Sequence, residues 1–153
     1  MNPIVVPTSV PDALSAVVDA PRALLALGMP GCAACMLLPA SLDELARARP
    51  DLASAMGEFT SPADWGRRED LLWPRGVHVS RSSMPTLSLL ADGVAVASRP
   101  GGGPAVEIDA WLATHLGPAP EPLDAEPTTA ERAALDGLSA RIGRQAYVKG
   151  RGG

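Results

Sequence analysis

One stretch constrains this chain more than any other: Met29-Pro30-Gly31-Cys32-Ala33-Ala34-Cys35, which holds the only two cysteines among its 153 residues. They are spaced C-x-x-C and stand between two segments of opposite character. Before them, Arg22-Ala-Leu-Leu-Ala-Leu-Gly28 is a short apolar run that reads as a buried strand. After them, residues 36–49 carry apolar side chains at helical spacing. A cysteine at such a strand-to-helix junction sits among unpaired backbone N–H groups, which favour the thiolate and lower its pKa. The second cysteine lies one turn further on, within bonding reach. This arrangement suits reversible thiol–disulfide exchange, with Cys32 partly exposed and Cys35 buried. The same two residues also read as ordinary buried cysteines, which are common in cores.

The length predicts one domain with a real core. A composition that is 46% apolar and 20% charged belongs to a soluble globular chain, and the formal net charge of −4 offers no footprint for nucleic acid. Arginine outnumbers lysine twelve to one, which reads as compositional bias and not as function. No apolar run reaches the roughly 20 residues that span a bilayer. The opening Met1-Asn-Pro-Ile-Val-Val6 lacks the pattern of a signal peptide, so a cytoplasmic location is expected. C-x-x-C in that reducing setting reads as redox or metal chemistry and not as a structural staple.

Taken in order, Ile4-Val5-Val6 predicts an edge strand. Ser9 and Asp12 mark a helix start, with Pro11 tolerated in the first turn and Leu14, Val17 and Val18 on one face. Pro39 is expected to kink the helix after the cysteines, with a restart capped by Ser41 and Glu44, while Leu38, Leu42 and Leu45 pack inward. Residues 52–59 read as a weaker strand, interrupted by Gly57. Ser61-Pro62-Ala63-Asp64 opens a short helix, and Arg67-Arg68-Glu69-Asp70 reads as a solvated face. Trp65 and Trp73 read as local packing or, alternatively, as a binding rim. His78 reads as a surface strand residue. Leu87–Leu90, Asp92-Gly93 and Val94–Ser98 form a hairpin with a D-G turn. Pro100-Gly-Gly-Gly-Pro104 reads as a flexible joint, followed by a helix over 105–116 with Ile108, Trp111, Leu112 and Leu116 at core spacing. Residues 118–126 read as a mobile linker and 128–144 as a short amphipathic helix with a stripe of Leu135, Leu138 and Ile142.

The order β-α-β-(C-x-x-C)-α-β-α-β-β-α resembles the thioredoxin superfamily. Two separated motifs carry the resemblance: Gly31-Cys32-Ala33-Ala34-Cys35 at a strand-to-helix turn, and Met84-Pro85-Thr86-Leu87 opening a hairpin. It covers about three-quarters of the chain. It implies an α/β, three-layer fold, with a mixed central sheet of four to five strands flanked by helices. The domain would span residues 1–117, and 118–153 would form a linker and C-terminal helical tail. It implies Cys32 as nucleophile and Cys35 as resolving thiol. It further implies a cis Pro85, and a substrate groove lined by Gly31, Met84, Pro85 and Thr86. The chain also departs from the family pattern. Gly31 replaces a tryptophan, and Ala33-Ala34 replaces Gly-Pro. The family's buried aspartate and its lysine partner would fall at Ala26 and near Met56. Glu58, on the same strand face as Met56, could substitute, though it reads first as a surface carboxylate. The segment before Pro85 is also some ten residues longer than in small thioredoxins.

Three readings follow. The first is a thiol–disulfide oxidoreductase of restricted partner range, acting on a protein or small-molecule disulfide. It would be recycled by a reductase or small thiol and would need no cofactor. The second is a thioredoxin-fold binding or assembly module with incidental or regulatory cysteines, whose C-terminal helix has a protein partner. The third is metal binding, for which two cysteines fall short of a four-ligand site and neither His78 nor His115 has motif spacing. Neither nucleic acid nor membrane is expected as a partner.

Overall fold

The computed structural model describes residues 5–120 and 123. Its centre is β2 (Arg22–Gly28), the apolar run before the cysteines. β2 pairs in parallel with β3 (Ala53–Glu58) and antiparallel with β4 (Thr86–Ala91), so that Leu25 lies opposite both Ala55 and Ser88. β4 continues through the Asp92-Gly93 turn into β5 (Val94–Pro100), and a two-residue β1 (Thr8–Ser9) adds to β3. The result is one mixed five-stranded sheet in the order β1-β3-β2-β4-β5. Both turn residues have positive φ, 50° at Asp92 and 81° at Gly93, the backbone a tight two-residue hairpin needs.

Alternation along β2 divides the core. Leu24 and Ala26 point to one face with Leu38, Leu42 and Leu45 of α2 (Leu38–Ala48) and with Ile108 and Leu112 of α5 (Ala105–Leu116). Ala23, Leu25 and Leu27 point to the other, against α1 (Val10–Val17), Phe59, Trp65 and Leu72. All five of these β2 side chains are fully buried. Each buried leucine contributes about 1.5–3 kcal/mol relative to exposure.

α1 starts as its residues dictate: Ser9 is the N-cap, its hydroxyl accepts the Asp12 N–H at 3.2 Å, and Pro11 lies in the first turn. The expected strand over Ile4-Val5-Val6 is not where pairing occurs. Ile4 lies outside the described residues, and Val5 is buried without entering a strand. Pairing begins only after Pro7, which has no amide N–H to donate. Gly57 is needed inside β3 because α1 crosses there; a Cβ on it would stand 3.0 Å from the Val10 backbone.

Four further expectations need correction. Pro39 does not kink a helix. It occupies the first turn of α2, where a missing N–H costs nothing, and the four residues Ala34–Leu37 before it form a 3₁₀ turn. Ser41 therefore caps nothing, and its hydroxyl donates to Gly103 O at 2.7 Å. That bond also belongs to the second correction, for residues 100–104 are tied down and not a joint. Gly101 N–H donates to Pro85 O at 2.6 Å, and a Cβ on Gly102 would press on Leu38 at 3.0 Å. Third, Arg68 is no solvated charge. It lies in α4 (Arg68–Leu71) and donates to Trp65 O and Val79 O, at 2.8 and 2.9 Å. Fourth, His78 is exposed but lies in a loop, beside the exposed Trp73, and not in a strand.

The helix expected over 128–144 lies outside the described residues. Within the linker stretch, Leu123 packs against the α2–α5 cluster. No helix among the described residues is long and apolar enough to cross a membrane.

Candidate active site

The cysteine turn leaves β2 at Gly28, at the middle of the sheet. Gly31 adopts φ +80°, which favours glycine, and a Cβ there would meet nothing. Its role is thus to let the chain reverse into the helical turn. Cys32 follows, held by its N–H to Met29 O at 3.4 Å. The Cys35 N–H then points at Cys32 Sγ at 3.1 Å, so the first sulfur receives a backbone donor at the start of the 3₁₀ turn. Such a donor favours negative charge on that sulfur.

Cys32 and Cys35 are joined in a disulfide, with Cα atoms 5.2 Å apart. Their environments differ. Cys35 is 3% exposed and belongs to the α2–α5 core, whereas Cys32 is half-buried at its margin. Only the first sulfur is therefore open to an incoming group.

The bed beneath the disulfide is apolar. A Cβ on Gly28 would lie 2.9 Å from Cys35 Sγ and 3.1 Å from Met56 Cε, so glycine is required at this position for the sulfur to fit. Sequence reasoning passed over Gly28 as the mere end of a strand. The available signal was a glycine closing an otherwise continuous apolar run. Ala26 and Met56 are 0% and 1% exposed, so no carboxylate or amine comes from those positions. Glu58 ends β3 opposite Gly28 and is partly exposed.

Met84 packs against the clusters on both faces of the sheet, at the end where Cys32 also packs. The Met84–Pro85 peptide is cis. Thr86 is 4% exposed, and its hydroxyl donates to Ser83 O at 2.8 Å, so its side chain is committed to the turn below. Among the groove residues named from the sequence, Gly31 is exposed, Met84 is half-buried, and Pro85 and Thr86 are buried. Met36, not singled out in the sequence, is 56% exposed directly after Cys35. Among the described residues, no group of three or more His, Cys, Asp or Glu side chains could hold a metal ion.

No protein-family description and no curated protein matches the chain by sequence. Solved structures do match by shape. Thioredoxin O2 from Arabidopsis thaliana, in its oxidized state, superposes with a TM-score of 0.54 at 19% identity, over 75% of this chain and 96% of that one. Thioredoxin f2 from Chlamydomonas reinhardtii gives 0.53 at 16% identity, over 74% and 98%. Desulfothioredoxin from Desulfovibrio vulgaris Hildenborough, in its reduced form, gives 0.53 at 18%, over 71% and 96%. The fold is that of the thioredoxins, and it carries a bonded C-x-x-C pair at the end of its central strand.

Proposed function

We propose that this protein is a thiol–disulfide oxidoreductase of restricted partner range. The observation that carries the reading is the asymmetry of the pair: a half-exposed Cys32 sulfur receiving the Cys35 N–H, bonded to a buried Cys35. In the reduced state the Cys32 thiolate attacks one sulfur of a substrate disulfide. A mixed disulfide forms and one substrate thiolate leaves. The Cys35 thiolate then attacks Cys32 Sγ, releasing the second substrate thiolate and closing Cys32–Cys35. Two electrons pass to the substrate, and a reductase or a small thiol returns them. The exchange needs no metal or organic cofactor. Gly31 and the half-buried Met84 line the approach, with Pro85 and Thr86 buried behind them, and an extended segment pairs with the backbone before Pro85. A reducing compartment such as the cytoplasm is the setting in which this direction operates.

The experiment is a redox titration of the two thiols with single-cysteine controls, joined to capture of partners. Cys35→Ser should accumulate mixed disulfides and Cys32→Ser should not. Indistinguishable capture by the two variants would favour the second reading, a binding module with regulatory cysteines. That reading draws support from the apolar Ala26 and Met56 beneath the pair, which leave the resolving thiol without an internal proton acceptor at those positions.

A further inference from the structure

We propose that the cleft beside the cysteine turn is a specificity site for an acidic residue near the disulfide of an extended protein substrate, with Arg81 as the group that receives its carboxylate. The inference rests on the oxidoreductase reading and names the substrate class for the same site.

The cleft has a volume of about 260 Å³ and runs between Met29-Pro30 on one side and residues 59–62 on the other, with Trp65 and Arg81 at its wall. It adjoins the reactive turn, because Met29, which lines it, also accepts the Cys32 N–H at its carbonyl. The wall is rigid. Phe59 and Trp65 are 2% and 7% exposed and stack with ring centroids 4.1 Å apart and an interplanar angle of 17°. The Arg81 guanidinium carbon lies 4.6 Å from the Trp65 ring centroid. Stacking on an aromatic face orients a guanidinium and leaves its planar fork of N–H donors for a carboxylate.

Arg68 also approaches this ring, at 5.4 Å, but its donors are taken by Trp65 O and Val79 O. Arg81 has no hydrogen-bond acceptor and no ion pair among the described residues. Two acids adjoin cleft residues in the chain: Glu58 lies on the strand face of Met56, opposite to that of Phe59, and Asp64 has a carboxylate that accepts from Thr60 N–H, Thr60 Oγ1–H and Ser61 N–H. Asp64 is therefore occupied by its own helix start. In a chain of net charge −4, an uncommitted arginine beside the reactive turn is a local exception that fits an anionic partner. Position argues for an extended segment and not a compact molecule. Arg81 opens the turn Arg81–Ser83, immediately before Met84-Pro85, so a chain running alongside Met84 passes Arg81. Met29, Pro30 and Trp65 give that chain an apolar surface for a neighbouring side chain.

The test uses the reduced full-length protein and matched disulfide-bonded peptides carrying Glu, Gln or Lys next to the reactive cysteine. Each rate is divided by the same variant's rate on neutral 2-hydroxyethyl disulfide, which removes any general effect of a substitution on fold or thiol. The wild type should favour Glu over Gln by roughly fivefold in kcat/KM, mainly through KM, the upper end for an exposed charge pair. Arg81→Ala should level the series, Arg81→Glu should move the preference to Lys, and Arg81→Lys should keep part of the Glu preference. Equal normalised rates for Glu and Gln in the wild type would overturn the proposal, as would a Glu preference that survives Arg81→Ala. Glutathione disulfide outpacing the Glu peptide would overturn it too, by assigning the carboxylate to a small thiol. Absence of any turnover of 2-hydroxyethyl disulfide by the wild type would instead sink the oxidoreductase reading, and this proposal with it.

Discussion

The two faces of the sheet are built by different means. The face that holds Cys35 is regular: α2 and α5 lay Leu38, Leu42, Leu45, Ile108 and Leu112 on Leu24, Ala26, Leu87 and Leu89, all at most 1% exposed. The opposite face has one regular helix, α1, and is then completed by an irregular run of short helices and turns from Phe59 to Ser83. That run is held by specific pieces. The Ser61–Asp64 capping box starts α3 (Pro62–Gly66), the Phe59–Trp65 stack fills the gap under it, and Arg68 bridges two backbone carbonyls. A periodic face gains stability from many similar contacts, whereas an irregular one depends on a few large or polar groups. The molecule thus combines a rigid bed for the buried sulfur with an individually shaped wall beside the exposed one.

Substitutions can break this contrast. The largest loss is expected from Trp65→Ala, about 3–5 kcal/mol, because a stacked and buried ring leaves a cavity that short helices cannot close. Urea denaturation measures it, and the reduced Cys35 thiol should stay as protected from alkylation as in the wild type. Leu42→Ala, fully buried on the other face, should cost about 2–5 kcal/mol and should raise the alkylation rate of reduced Cys35, which shares its cluster. If both variants altered Cys35 equally, the two faces would not be independent.

Arg49→Ala tests how the regular face is anchored at its far end. Arg49 is 3% exposed, pairs with Asp109 at 2.7 Å and donates to Gly117 O at 2.8 Å, so it ties the end of α2 to Asp109 within α5 and to the residue that caps α5. Its loss should cost about 1.5–3 kcal/mol, the range for a hydrogen bond to a charged group, read as a lower urea midpoint. Gly28→Ala should cost about 1–3 kcal/mol through overpacking, since the new methyl meets Cys35 Sγ at 2.9 Å. The smallest effect concerns Asp64, whose carboxyl is held below the ordinary carboxylate range chiefly by the Thr60 N–H. A depressed folded pKa adds stability above the unfolded value and loses it as the pH falls through the folded one. The Tm gap between wild type and Asp64→Ala should therefore be present at neutral pH and close on acidification. A gap unchanged at low pH would show that the charge plays no part in holding this wall.

Legibility followed the range of the interactions. Arg22–Gly28 formed the expected strand and Asp92-Gly93 the expected turn, because apolar runs and positive-φ pairs act within a few residues. Ser9 and Ser61 capped the expected helices for the same reason. The cysteine pair was equally local, with four residues placing one sulfur at a turn start and the other beneath it. The errors arose where a local signal met a distant partner. Ser41 and Glu44 have capping-box spacing, but Ser41 finds Gly103, 62 residues away, and Glu44 pairs with Arg47. The Gly101–Gly103 run has a flexible composition, yet it is held by Pro85, Leu38 and Ser41.

By itself, then, the sequence determined which residues form the four inner and hairpin strands and the main helices (though not the edge strand), where the chain turns, and that two sulfurs stand one turn apart. These outcomes depend on backbone preference and apolar period over short spans. Only the tertiary structure decided that Gly28 must lack a side chain under Cys35, that Arg49 closes α2 onto α5 across 60 residues, and that Arg81 stacks on Trp65 beside the cysteine turn. Each depends on two segments meeting through the sheet, and no periodicity within either segment encodes what the other brings to the contact.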